Sequence, residues 1–234
     1  MAQNNEWSDD NEKFVLYLDI MGFKDRVAKT EVRELKEMLL AFKTKNNKLM
    51  PLLEHESRGT RKHLMKMAQF SDSIVIISRS NTIDDLNRIT KAGAVLMQTA
   101  LETGFALRGA IAAGNMVFDN ENQIFFGNAL VDAYLLEEQL SYYGIVFHDS
   151  AEHLVASYLS NNPPNKYFPI KDESVCMKGG KTSHFHIAWY EMKKDLSKGD
   201  IRSDARKWLA KLRESVSGNP RIYLDNTLKV VNGE

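Results

Sequence analysis

Cysteine is nearly absent: Cys176 is the single one in 234 residues. That excludes an internal disulfide and any cysteine-rich zinc site, and it suits a reducing compartment, so a cytoplasmic location is expected. Excess charge of either sign is absent as well. Lys plus Arg and Asp plus Glu number 31 each, for a formal net charge of zero. Such a balance gives no bulk attraction to nucleic acid or anionic membrane, so no nucleic-acid binding is expected and any polyanion must be held locally. No stretch approaches the ~18 apolar residues of a spanning helix, which argues against direct membrane insertion. The opening MAQNNEWSDDNEK is polar and acidic, unlike a secretory signal. Repeats and low-complexity tracts are also missing. What remains is a chain of 43% hydrophobic and 26% charged residues, ordinary for a globular protein. Its length suits one α/β domain that buries a core without cross-links.

Residues 1–12 read as a disordered lead-in. Phe14–Ile20 (FVLYLDI) is a short apolar run with an acid near its end, the pattern of a buried strand. Helical spacing follows from Phe23 to about Leu53, as two helices or one bent one, and His55–Lys62 reads as a polar loop. Leu64–Phe70 and Ser73–Ser78 form a second strand pair with Asp72 at their junction. A helix starts at Thr82, with acids in its first turn, and closes at Gly104. Phe105–Ala113 is a strand, and 116–118 with 123–126 bracket a DNEN turn. Gly127 opens a helix through Leu140, Gly144–His148 is a strand, and Ser150 caps a helix to Leu159. Beyond the NNPPN loop the pattern weakens to a late strand at His184–Tyr190 and an amphipathic helix at Asp204–Ser217. The main body is therefore expected over 13–160, its completion over 161–226, and a mobile tail over 227–234.

Two carboxylates stand out because each sits at a strand end beside apolar residues. Asp19 ends FVLYLD and Asp72 lies in FSDSIVII. If their strands are neighbours, the acids lie side by side, where they repel unless a cation joins them. Mg²⁺ or Mn²⁺ favours such hard oxygen ligands, and two ions can activate a hydroxyl and clamp a triphosphate together. Either Asp alone is as readily a turn cap; the pair favours metal. Ile20-Met21-Gly22-Phe23 leads from strand to helix, so its N–H groups are candidates to face a phosphate.

YLDIMGFKD resembles the opening motif of class III nucleotide cyclases, and FSDSIVI their second metal strand. LRGAIAAG resembles the Arg-x-Gly-Ile strand and FFGNALVDAYLLEE the glycine-opened helix after it. The resemblance implies an α/β (α+β, ferredoxin-like) domain with a βααββαβ core. Its sheet is mostly antiparallel, with helices on one face and a C-terminal strand and helix appended. It also implies Asp19 and Asp72 as metal ligands for two Mn²⁺ or Mg²⁺ ions, with the Ile20 carbonyl as a third ligand. Four places depart from the purine cyclases. The base-reading Lys and Asp fall at Ala68 and Ile124, and the transition-state Asn and Arg at Val131 and Leu135. Rejecting a wrong base needs placed hydrogen-bond partners, which Ala and Ile do not supply. Either the transition-state role moves to Tyr134, Asp132 or Asn128, or activity is lost.

The wording YLDIMGF, FSDS, LRGAIAAG and GNALVDAYLLE is most similar to the pyrimidine nucleotide cyclases of bacterial Pycsar anti-phage systems. That similarity implies a homodimer with interfacial sites, turning UTP, or alternatively CTP, into the 3′,5′-cyclic monophosphate and pyrophosphate. It further implies an effector gated by that cyclic nucleotide. A catalytically inactive nucleotide-binding module is the other reading. Beside Asp19 and Asp72, the candidate nucleotide contacts are Ile20, Met21, Gly22, Phe23, Lys24, Arg108 and Tyr134. Arg108 reads equally as a salt bridge within the fold, Lys24 and Arg26 also as a solvated helix face, and Tyr134 also as packing. His184 and His186 are expected on a strand surface.

Overall fold

A computed structural model describes residues 7–8, 11–46, 54–57, 60–119, 121–161, 169–192, 201–214 and 216–234. The pattern of FVLYLDI organises the rest. Strand β1 (Lys13–Ile20) turns Phe14, Leu16, Leu18 and Ile20 to one face, all buried, and Val15, Tyr17 and Asp19 to the other. It therefore sits mid-sheet, between β5 (Ser73–Ser78) and β6 (Leu107–Gly114), antiparallel to both. With β4 (Met65–Phe70), β9 (Ile145–Phe147), β10 (Ile170–Met177) and β11 (Gly180–Ile187) it forms a seven-stranded sheet. The strand order is β10-β11-β9-β6-β1-β5-β4, and only β6 and β9 pair in parallel.

On the face of Leu16 and Leu18 lie α1 (Phe23–Lys29), α2 (Val32–Asn46), α3 (Ile83–Glu102), α5 (Asp149–Asn161), α6 (Ile201–Arg213) and α7 (Asn219–Asn232). Of these, α2, α3, α5, α6 and α7 supply buried residues to the main core. The central one is α3. Thr82 caps it by accepting the Asp85 N–H, and Asp84 and Asp85 sit at its positive end. The buried Gln98 donates to the carbonyls of Trp189 and Met192, at 2.6 and 2.9 Å, which ties α3 to the segment after β11. The architecture is thus the expected α/β fold with a mostly antiparallel sheet, with one addition: α4 (Asn128–Gln139) crosses the other face. There Ala129 packs with Val15, Val75 and Ile77 beside the hairpin of β7 (Val117–Asp119) and β8 (Ile124–Phe126).

Three expectations change. The residues after Asn226 are the second half of α7, held by buried Thr227 and Val231, with Thr227 Oγ1 accepting the Tyr143 N–H at 2.8 Å. Within the expected loop at 55–62, β2 (Glu54–Ser57) and β3 (Thr60–His63) pair antiparallel. The late strand is displaced to Gly180–Ile187 and gains an unforeseen partner, β10, whose consecutive charged residues Lys171, Asp172 and Glu173 suit a sheet edge. Most of the lead-in and the NNPPN loop lie outside the described residues, although Trp7 packs beside Ala68 and takes Lys66 over its ring.

Candidate functional site

Asp19 reaches the sheet end because β1 stops one residue later; in register it faces Ser73 of β5 and Arg108 of β6. Asp72 immediately precedes Ser73 in the tight turn that joins β4 to β5. The Ile20 N–H donates to the Asp72 carbonyl at 2.7 Å, so the two acid-bearing segments are stitched together through the backbone. Ser71, just before Asp72, holds a left-handed φ of 52°. That backbone costs a non-glycine residue ~1–3 kcal/mol and is the kind of strain found where a side chain must be aimed. Both carboxylates are half-buried.

Burial pushes the Asp19 carboxyl above its ordinary value, and the Asp72 carboxylate pushes it further; Arg108 and Lys24 oppose the rise. Among the described residues neither acid forms an ion pair with a Lys or Arg. Two adjacent, half-buried carboxylates without a counter-ion suit a hard divalent cation. No group of three or more His, Cys, Asp or Glu gathers among the described residues. A cation here would thus take two carboxylates from the chain, and the remaining ligands from backbone, water and substrate.

The turn after Asp19 is partly committed. Met21 donates its N–H to the Ala106 carbonyl at 2.9 Å. Gly22 takes φ 70°, which glycine adopts without penalty, and opens the seven-residue α1 without a side-chain cap. Phe23 packs on the core and Lys24 is exposed. Arg26 is half-buried, donates to the Gly104 carbonyl and stacks on Phe105.

Arg108 is 8% exposed. Its Nε donates to Glu137 of α4, its Nη1 to the Leu140 carbonyl at 3.0 Å, and its guanidinium lies over the Tyr223 ring. Of the two readings open from sequence, the salt bridge within the fold is the one formed. Glu137 escaped the sequence reading, as it lies inside a helix without a strand-end motif, on a face otherwise buried through Ala129 and Ala133. Burial raises its pKa against the lowering effect of Arg108. Tyr17, two residues before Asp19 and so on the same face, was also missed. It meets Tyr134 edge-on at 5.4 Å, and its hydroxyl bonds that of Ser73 at 2.8 Å. Tyr134 is 41% exposed and donates to Glu138.

A cavity of about 430 Å³ opens between the sheet, α4 and β8, lined by Tyr17, Phe70, Val75, Phe125, Leu130 and Tyr134 among others. Ala68 packs in the same apolar cluster, and Ile124 lies on β8 beside Phe125. Val131 and Leu135 are more than half exposed on α4. Asn128 accepts the Asn115 N–H, which gives it a structural task. The two histidines do not converge: His184 meets Glu152, whereas His186 is buried facing Glu173, not at the surface as expected.

Comparison with known proteins gives a fold and no more. No family model matches the sequence, and no curated protein does. Among solved structures the chain is similar to the guanylate cyclase domain of RhGC from Catenaria anguillulae in complex with GTP. The TM-score is 0.51 and the identity 12%, over 76% of this chain and 96% of that one. It is also similar to a rhodopsin-guanylyl cyclase catalytic core of converted specificity bound to ATPαS, with TM-score 0.52 and 12% identity over 76% and 94%. The non-canonical dimeric guanylyl cyclase domain from Blastocladiella emersonii gives 0.50 and 12% over 75% and 93%. The chain therefore has the fold of nucleotide cyclase domains.

Proposed function

We propose that the protein is a metal-dependent nucleotide cyclase acting on a pyrimidine nucleoside triphosphate, UTP before CTP. The product is a 3′,5′-cyclic monophosphate that serves as a second messenger in anti-phage defence. The observation that carries the reading is the pair Asp19 and Asp72, brought together at one sheet end with no ion pair to a Lys or Arg among the described residues. Mn²⁺ or Mg²⁺ bound there supplies the positive charge that acidifies the ribose 3′-OH and neutralises the triphosphate. The chain's own part is positioning: Asp19 and Asp72 present oxygen ligands, and the Ile20–Lys24 turn receives the phosphates. The 3′-oxygen then attacks the α-phosphorus, a P–O bond forms, and pyrophosphate leaves.

The pyrimidine preference is supported by Ala68 and Ile124, which offer no hydrogen-bond partners to read a purine, beside a cavity walled mostly by aromatic and aliphatic groups. A base there is held by stacking on Phe125 and Tyr17. Uracil over cytosine rests on the resemblance. A homodimer is supported by apolar side chains exposed together on α4 and β8: Val131, Leu135, Ile124 and Phe126. A gated effector completes the proposed system.

The experiment is incubation of purified protein with each of the four NTPs and Mn²⁺, resolving products by chromatography. Cyclic UMP or cyclic CMP formation that disappears in Asp19→Ala and Asp72→Ala is the expected result. Folded protein giving no cyclic product from any NTP would leave the binding-module alternative standing instead, and a purine product would overturn the pyrimidine assignment.

A further inference from the structure

A second cavity, of about 220 Å³, lies on the helical side of the sheet between α1 and the tip of the α6–α7 hairpin. Met21, Gly22 and Arg26 form one wall, and Tyr143, Leu212 and Pro220 another. Nucleotide-sized ligands take pockets of roughly 300–1,000 Å³, so this one fits something smaller. Its charge is unbalanced. Asp25 and Lys29 pair with each other in solvent at 3.4 Å. Arg26, half-buried, donates to one carbonyl and stacks on Phe105 yet meets no carboxylate among the described residues. A guanidinium on a cavity wall has more donors than one carbonyl can satisfy, and its charge favours an anion. Tyr143 adds none: its hydroxyl donates to the Pro220 carbonyl, and burial pushes its pKa up to about 12, so it stays neutral. The remaining walls are mixed, with Ala106, Leu212 and Val216 apolar and Thr30 and Ser217 polar.

We infer that this cavity binds a small anion, a carboxylate or phosphate on a compact body, through the Arg26 guanidinium. The site is separate from the Asp19–Asp72 pair but shares the Met21–Gly22 turn with it. Occupancy therefore fixes the turn that follows the first acid, and the binding itself does not depend on the proposed cyclase activity.

The test is thermal unfolding of the full chain, without nucleotide, in inorganic phosphate and in butyrate, each against NaCl at matched ionic strength. A binder of the native state raises Tm as its concentration passes Kd. The expected result is a saturable rise with at least one of the two anions, lost in Arg26→Gln and retained in Arg26→Lys. A rise with phosphate alone identifies a phosphate site, and a rise with butyrate alone a carboxylate site. Because Arg26→Gln removes a hydrogen bond and can weaken the fold, Ser217→Phe, which fills the cavity from its rim, is the second variant; it too must lose the rise. No rise in the wild type, or an equal rise in Arg26→Gln and Ser217→Phe, overturns the inference. Cyclase activity is not the readout, so an inactive protein tests the site equally well.

Discussion

The buried pair Arg108–Glu137 gives the sharpest test of how the site is built. Arg108 is 8% and Glu137 2% exposed, and the pair stands across the register from Asp19. Replacing Arg108 with Met leaves the Glu137 carboxylate buried beside the Asp19 carboxylate, with the Leu140 carbonyl losing its donor. Breaking a buried pair from one side costs about 3–5 kcal/mol. For a chain of this size each kcal/mol moves Tm by about 2–4 °C, so Arg108→Met is expected to melt roughly 6–20 °C lower. Glu137→Leu alone strands the guanidinium and costs a similar amount. The double variant removes both charges, and apolar replacement of a buried pair is often neutral, so it is expected to recover most of the loss. Urea denaturation of the four proteins measures this cycle. If the double variant is as unstable as the sum of the singles, or Arg108→Met loses less than about 1 kcal/mol, the reasoning fails. The same proteins separate a fold role from substrate contact. A double variant that is stable but has a raised KM for the triphosphate returns Arg108 to the substrate contacts; an unchanged KM assigns it to the fold.

Asp19→Asn removes a carboxyl whose pKa lies above its unfolded value. The native state binds the extra proton in that window, so this group's contribution to stability falls as pH rises from the unfolded to the folded pKa. The metal-free variant is expected to lose that part of the pH dependence and, at neutral pH, to melt no lower than wild type; the Mn²⁺-dependent rise in Tm should vanish, both by calorimetry. Glu173 goes the other way: its contact with His186 at 3.4 Å and the charge of Lys171 hold its pKa at about 2. Its contribution is present above the ordinary value of 4.5 and is lost as pH falls toward about 2, and Glu173→Gln should flatten acid unfolding there. A Cβ on Gly109 would lie 2.4 Å from the Tyr17 carbonyl oxygen and 2.5 Å from Leu18. Gly109→Ala is thus expected to cost about 1–3 kcal/mol through displaced backbone between β1 and β6, read by urea denaturation.

Most strands near the site were legible because they are buried on both faces or end in a lone acid, and FVLYLD and SIVIIS announce themselves that way. Helix α3 was legible from Thr82, its first-turn acids and Gly104. By contrast β10 carries Lys171, Asp172 and Glu173 on a sheet flank, and the second half of α7 is rich in polar residues. Both take their apolar burial from distant partners, so no local pattern marks them.

What the sequence alone determined is therefore local: which short runs around the site are strands, and that Asp19 and Asp72 each end or begin one. Period-two alternation and turn chemistry act over a few residues, and both are written in the order of side chains. Only the tertiary structure decided that β1 lies between β5 and β6, so that two acids 53 positions apart in the chain share one end of the sheet. It also decided that Arg108 is matched by Glu137 from a helix on the far side, whereas Arg26 meets no acid among the described residues. Pairings of that range depend on which strands become neighbours, and neighbourhood is set by burial of the whole core at once.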